Sequence, residues 1–542
     1  MSYAISTVPT PVNEPIKGYL PGSPERKALE AALATVGKGG YDIPLFIGGR
    51  EVRTGDTALL ACPHKHTMKL GVYHRAGVKE VEAAARAARE AAPAWAALPY
   101  EQRLSVFLKA AELLTGKYRY LLNAATMIGQ SKNAFQAEID SACELIDFWR
   151  FNPYYATRIY QDQPISAPGI YNRVEYRPLE GFVFAVTPFN FTSIAGNLPA
   201  APAMMGCTVL WKPASSSVLS AWYVLKILEE AGLPAGVINM IPGSGAKVGD
   251  PVLAHPDLAG IHFTGSTSVF QGMWKTVGEN IANYRSYPRI VGETGGKDFI
   301  FAHESADEDA LITAAIRGAF EFQGQKCSAA SRLYVPEKMW KRIQGRLVDQ
   351  IESITMGDPA DYRNFMGAVI DKGAFNSISG YIEGARKAKD AKIIAGGKAD
   401  GKKGWFIRPT LIQTSNPRYR TICEEIFGPV LTVYPYKEKA LQETLALCDT
   451  ASPYSLTGAI FARDRLVISQ LTDALANAAG NFYINDKPTD AVVGQQPFSG
   501  ARASGTNDKA GSYLNLLRWV SCRAIKENFA PPTDWKYPYM AE

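Results

Sequence analysis

From about residue 173 onward, short apolar runs of strand length alternate with runs of helical period. Residues 173–177 alternate like a strand, and 182–186 form a short apolar run. Residues 208–211 precede a helical stretch at 218–231. Residues 237–241 and 260–263 read as further strands, and 269–280 as a helix. A second block starts near Phe299, with helices at 306–322 and 337–354 and strands at 332–335, 392–394, 430–433, 458–461 and 481–484. Such alternation suits few architectures, chiefly a parallel sheet covered by helices on both faces. Two α/β units are expected, with a boundary near 293–298. The first third differs: 78–98, 101–127 and 133–150 read as amphipathic helices. No internal repeat is evident. The aromatic tail at 534–539 lacks helical period and is expected to pack on another surface.

Other classes fall away on composition. A chain of 542 residues, 46% hydrophobic and 20% charged, can bury a large core and is not disordered. Its net charge of +6 is spread thinly, with no long basic run, so no nucleic-acid partner is expected. The seven cysteines are odd in number, dispersed and without a C-x-x-C, which suits a reducing compartment. No metal site is expected: the six histidines make no H-E-x-x-H, and His64 and His66 stand as a lone pair. The N-terminus has no signal-peptide pattern. Residues 181–211 carry no formal charge, but Pro188, Pro199 and Pro202 argue against a membrane span. A buried strand, a loop and a short helix fit that segment better.

Three residues could carry chemistry. Cys327 lies between Lys326 and Ser328, a polar and mildly positive setting that would lower a thiol pKa. Glu293, flanked by Gly292, Gly295 and Gly296, stands on a tight turn suited to a general base acting on water. Asn190 follows the strand at 182–186, where open α/β sheets bind ligands, and its amide could donate to an oxyanion. Each has a plainer alternative: a buried structural cysteine, a solvated turn glutamate, an asparagine holding a turn beside Pro188. Two glycine-bearing loops, 242–245 and 263–267, precede helices and could place amides near a pyrophosphate. Neither has the spacing of the usual dinucleotide fingerprint. Lys212 ends another strand and could reach a ribose or phosphate, or be a surface lysine.

Taken in order, the motifs resemble the aldehyde dehydrogenase superfamily. The order is Asn190, then Lys212-Pro213, the Gly265-Ser266 loop, Glu293-Thr-Gly-Gly-Lys297, Cys327, and finally Glu425-Ile-Phe-Gly-Pro429. Within it, 181–192, 292–298, 320–332 and 481–508 are similar to the Δ1-pyrroline-5-carboxylate dehydrogenase family. So are Val12-Asn-Glu-Pro15, Gly22-Ser-Pro-Glu-Arg26 and Asp534-Trp535. The resemblance implies a Rossmann-type cofactor domain at 1–152 and 178–295 and an α/β catalytic domain at 296–514. A β-flap and tail for oligomerisation would occupy 153–177 and 515–542. A chain of this length is expected to lack a fused proline dehydrogenase.

The implied activity is NAD-dependent oxidation of L-glutamate γ-semialdehyde to L-glutamate in proline catabolism. Cys327 would be the nucleophile and would pass through a thiohemiacetal and a thioester. Asn190 and the Cys327 N–H would hold the oxyanion, and Glu293 would activate water. The resemblance points the cofactor to Thr187, Lys212, Gly265, Ser266, Thr267, Ser268, Val269, Glu425 and Phe427. NAD-preferring relatives often carry Glu three residues after the lysine. This chain has Ser215 there, so NAD is expected with NADP tolerated. For substrate, Ser328, Asp490 and Ala491 match the carboxylate anchor, Phe191 and Phe498 the flanking aromatics, and Glu144 a carboxylate near the amino end.

Asp490 departs from the family's usual Gly, and Ser499 is a milder departure. A free carboxylate at 490 should repel the substrate, and its Cβ could conflict with a glycine backbone angle. Asp490→Gly is therefore expected to lower KM. The alternatives are a dehydrogenase of another semialdehyde, such as succinate semialdehyde, or a catalytically silent scaffold protein. The resemblance also implies a homodimer or higher homo-oligomer and transient contact with proline dehydrogenase. The expected location is cytoplasmic for a bacterial source and the mitochondrial matrix for a eukaryotic one.

Overall fold

The charge-free run folds as the strand Phe182–Val186, the helix Thr192–Met204 and the strand Thr208–Lys212. Every residue of that helix is buried, so Pro199 and Pro202 are held by packing on all sides. In a computed structural model describing residues 6–540, the two strands lie inside a seven-stranded sheet. Its order is Arg289–Glu293, Leu258–Thr264, Phe182–Val186, Thr208–Lys212, Ile238–Met240, Leu45–Ile47 and Arg50–Val52. The first five run parallel and the last two antiparallel. Strands this buried need apolar side chains on both faces, which is why they read as continuous rather than alternating runs.

The second seven-stranded sheet has Asp298–Ala302 near its centre, between Ala330–Pro336 and Thr457–Phe461. Val430–Tyr436 and Thr410–Thr414 extend one side, and Asn481–Ile484 the other. Ala391–Ala395 closes one edge antiparallel. The first sheet's edge strand ends at Glu293 and the second sheet's strand begins at Asp298, so one short turn joins the two sheets. Residues 1–5 and 541–542, where the expected first and last segments begin and end, lie outside the described residues.

Several expectations need correction. The helix expected over 133–150 is Glu144–Gln161, preceded by a π-helical turn at Glu138–Cys143. Pro153 sits inside it and does not begin the flap. The strand nearest the expected flap is Ile170–Pro178, paired antiparallel with Val520–Asn528 and, among the described residues, with no other strand. A local punctuation signal lost here to burial: Asn152, Pro153 and Ala156 are all packed inside. The wide π turn turns Glu138, Asp140 and Cys143 inward together. The strands at 41–74 and at 410–414 escaped periodicity because most are only three to five residues long. The tail does not pack on its own subunit: Trp535, Tyr537 and Tyr539 are all exposed.

The Glu293 end of the first sheet is clamped from outside. Glu293 bridges Gly505, whose φ is +142°. A Cβ there would lie 2.2 Å from the Gly292 carbonyl oxygen. Gly505→Ala is expected to cost about 2 kcal/mol or more. It should lower the thermal unfolding midpoint and the turnover together, because the strand carrying Glu293 must shift. A variant with wild-type midpoint and turnover would show that this contact does not hold Glu293.

Candidate active site

Cys327 is buried on the loop between the turn Glu321–Gly324 and the strand Ala330–Pro336. The approach to it is strained. Phe322, Gln323 and Gly324 have consecutive φ values of +48°, +58° and +65°. The Gln323 side chain holds that path, donating to the Ala368 carbonyl at 2.8 Å and the Ser131 carbonyl at 3.1 Å and accepting from Gly367 N–H at 3.0 Å. Asn190 Nδ2 donates to the Gln325 carbonyl at 3.0 Å, which holds its amide beside the cysteine loop.

One cleft gathers most of the expected cofactor residues. Thr187, Lys212, Gly265, Ser266, Val269, Glu425 and Phe427 line it together with Asn190 and Cys327. Thr187 and Lys212 stand at the C-terminal ends of neighbouring parallel strands, and the helix Thr267–Glu279 opens from the Gly265 loop. Helix N-terminal amides and strand ends are where this architecture holds phosphates. Thr267 is not a lining residue, but its Oγ1 accepts at 3.3 Å from the N–H of Gly295, which lines the cleft. Ser268 is exposed on the first turn of the helix and does not line the cleft. Glu425 accepts from Gly296 N–H at 2.8 Å, and burial pushes its carboxyl up to about 7. Phe427, at φ +56°, meets Phe189 edge-on. These residues fit an adenine dinucleotide: an open, largely apolar cleft lined by the half-buried Lys212 and Glu425.

A second, narrower chamber shares the Phe263–Thr264 wall with this cleft. Glu293, Glu144, Phe498 and Ser499 line it, with His262 and Phe148. Burial pushes the Glu293 carboxyl up to about 8; Asp508 adds to this and Lys509 opposes it. Glu144 accepts from Ser193 Oγ, and burial, aided by Asp140, pushes it up to about 8 as well. Phe191 is buried beside Lys132, whose ammonium lies 4.5 Å from its ring centroid. Ser328 Oγ and Thr489 Oγ1 are 2.8 Å apart, tying the cysteine loop to the loop of Asp490 and Ala491.

Two expectations about charge are overturned. Lys326 does not make a positive setting for the Cys327 thiol. Its ammonium turns away to Asp490 at 2.6 Å and Glu321 at 3.4 Å. Burial pushes the thiol well above its ordinary value, and Glu293, Asp298 and Glu425 push it further. Asp490 is not a free repelling carboxylate either. It points inward at φ +68°, paired with Lys326 and Lys487.

Other residues of the site carried no motif. Lys132 is fully buried against Asp140 and between the rings of Phe191 and Phe322. Its only signal was to be the lone charge between Arg119 and Glu138. Lys509 donates to the Gly480 carbonyl at 2.7 Å and bears on Glu293. The lone histidine pair has other work: His64 is within hydrogen-bond reach of Cys62 and Ser131, and His66 packs on Trp405.

Residues 53–524 match the aldehyde dehydrogenase family, and the chain belongs to it. A mitochondrial delta-1-pyrroline-5-carboxylate dehydrogenase of Dictyostelium discoideum is 53% identical, covering 100% of this chain and 97% of that protein. The solved delta-pyrroline-5-carboxylate dehydrogenase of Mycobacterium tuberculosis bound with NAD is 51% identical and covers both chains fully, with a TM-score of 0.97. The 1-pyrroline-5-carboxylate dehydrogenase from Thermus with bound NAD is 34% identical at a TM-score of 0.90, covering 96% of this chain and 100% of that one.

A base that works as a carboxylate gains activity as pH rises through its own pKa. Thioester hydrolysis is expected to rise with pH and inflect near 8. Stopped-flow pH profiles check this. Glu293→Gln should remove the inflection and Glu144→Gln should keep it; an inflection that survives Glu293→Gln assigns the base elsewhere.

Proposed function

We propose that this chain oxidises L-glutamate γ-semialdehyde, the open form of Δ1-pyrroline-5-carboxylate, to L-glutamate with NAD. One observation carries the reading: Cys327 sits in the cleft suited to the dinucleotide, and Glu293 sits in the chamber behind it that Glu144 and Phe498 line. The printed names of the relatives support the substrate, and the NAD-bound titles of the solved structures support the cofactor.

When bound in the cleft, the oxidised nicotinamide supplies a positive charge and the acceptor for a hydride. The chain's own residues do the rest. Burial and the surrounding carboxyls favour the protonated thiol, so the positive charge would draw the S–H proton off to water as the thiolate forms. Cys327 Sγ bonds to the aldehyde carbon, and the former carbonyl oxygen becomes an oxyanion within reach of Asn190 Nδ2–H. Asn190 would exchange the Gln325 carbonyl for that oxygen. Departure of hydride leaves a thioester. Glu293 takes a proton from water, the water oxygen attacks the thioester carbon, and the C–S bond breaks to release the acid and a thiolate that recovers the proton from Glu293. Phe191 and Phe498 would flank the carbon chain, Ser328 and the backbone at Ala491 would hold the far carboxylate, and Glu144 would face the amino group.

The same reading makes the chain a homodimer or higher homo-oligomer. Its support is the ribbon of Ile170–Pro178 and Val520–Asn528, half-buried along the first strand and largely exposed along the second, and the exposed aromatic tail. It places the chain in the mitochondrial matrix for a eukaryotic source and in the cytoplasm for a bacterial one. No helix among the described residues is long and apolar enough to cross a membrane. Contact with proline dehydrogenase draws support from proline utilization A of Bdellovibrio bacteriovorus. That structure is 30% identical at a TM-score of 0.91, and this chain covers 53% of it.

NADH formation should be strong with Δ1-pyrroline-5-carboxylate and weak with succinate semialdehyde, and Cys327→Ala should abolish it. Asn190→Ala should lower kcat by about 10²–10³. Preference for succinate semialdehyde would overturn the substrate. Ser215 is exposed at the mouth of the lysine-bearing strand, so NADP should be turned over less efficiently than NAD. Ser215→Glu should lower NADP kcat/KM by about tenfold, by repelling the 2′-phosphate. No NADP turnover in the unsubstituted chain would remove the tolerance.

A further inference from the structure

The loop opposite Cys327 carries more charge than its packing needs. Asp490 Oδ1 accepts from Lys326 Nζ at 2.6 Å, and its other oxygen pairs with Lys487. Both lysines already have a counter-ion: Glu321 lies 3.4 Å from Lys326 and 3.9 Å from Lys487. Asp140 lies 4.0 Å from Lys326 and pairs with Lys132, and Arg317 pairs with Glu321 at 2.8 Å. Four cations (Lys132, Lys326, Lys487, Arg317) thus meet three anions (Asp140, Glu321, Asp490). Asp486 also bears on Arg317 and Glu144 on Lys132, and loss of Asp490 would make the cluster more positive by one charge. Little water screens it: the Lys326 side chain has no exposed surface, and those of Asp490 and Lys487 are 13% exposed.

The cluster borders the substrate region. Lys326 directly precedes Cys327, Ser328 is bonded to Thr489, and Lys132 faces the Phe191 ring. Asp490 also stands at φ +68°, a conformation glycine adopts freely and aspartate, like asparagine, at a modest cost. Burial alone would raise its carboxyl. The two ammonium groups overcome this and hold it well below the usual carboxylate range.

We infer that Asp490 is a specificity-determining residue. As a resident carboxylate between Lys326 and Lys487 it cancels one positive charge at the far wall of the site, and so weakens the selection for aldehydes ending in a carboxylate over uncharged aldehydes of equal length. The inference rests on the reading that the substrate's carboxylate end lies against the Ser328–Thr489 junction.

The test uses two five-carbon aldehydes, 5-oxopentanoate and pentanal, on the full chain with NAD. Asp490→Asn keeps the size and the tolerance for positive φ and removes the charge. The ratio of kcat/KM for 5-oxopentanoate to that for pentanal should rise about tenfold in this variant. Asp490→Gly, which relieves the backbone, should raise it likewise and serves if the Asn variant folds poorly. Calorimetric titration of glutarate gives a readout free of turnover and should show a matching gain in affinity. A ratio and a glutarate affinity both within about twofold of wild type would overturn the inference. So would a parallel fall for both aldehydes, which marks a packing role. Neither probe is L-glutamate γ-semialdehyde. Failure of the unsubstituted chain to oxidise that compound would therefore count against the proposed function and not against the role of Asp490.

Discussion

Three chain segments meet at one point with no room for a side chain. A Cβ on Gly296 would lie 2.1 Å from the Cys327 carbonyl oxygen, and one on Gly295 would lie 2.5 Å from a Glu425 carboxylate oxygen. Two residues upstream of Gly295 is Glu293, and two residues downstream of Gly296 the second sheet begins at Asp298. The turn between the sheets is therefore packed directly on the cysteine loop and the Glu425 loop. Close approach of the glycine backbone to the Cys327 carbonyl and to the Glu425 carboxylate sets the relative positions of Cys327, Glu293 and Glu425. The two parallel sheets supply the rigidity, because each of these residues lies at or near a strand end.

Burial then separates the site into two electrical regimes. Around the thiol the carboxyls are desolvated and raised: Glu293 and Asp298 to about 8 and Glu425 to about 7. Among the described residues no lysine or arginine is aimed at the sulfur. That region responds strongly to an incoming positive charge. Across the cysteine loop, by contrast, Lys326, Lys487, Lys132 and Arg317 are interlocked with carboxylates at short range. Such a network is costly to disturb because removing one partner leaves a buried charge uncompensated. Lys326 and Cys327 are neighbours in sequence and belong to opposite regimes.

That separation also shows what sequence can carry. Cys327, Glu293, Asn190, Lys212 and Glu425 were legible because each stands in a short motif whose spacing is set by local backbone needs. The central strands were legible because deep burial makes them continuous apolar runs. Side-chain direction was not legible. Lys326 read as a cation for its neighbour, yet its stem turns toward residues far along the chain, at 490 and 140. Asp490 read as a repelling charge because Lys326, the partner that draws it inward, lies far away in sequence, and Lys487, three residues back, gave no sign of its direction. Lys132 had no motif at all. Pro153 read as a break, and long-range packing carried the helix on to Gln161. In each case the missing term was a contact distant in sequence.

The account rests on a covalent intermediate at Cys327 that Glu293 helps to hydrolyse. The most direct test traps it. Glu293→Gln is mixed with Δ1-pyrroline-5-carboxylate and NAD, quenched in acid and digested for peptide mass spectrometry. The account predicts one equivalent of NADH in a burst and a glutamyl adduct on the Cys327 peptide. A burst with no adduct there, or an adduct on another cysteine, would contradict it.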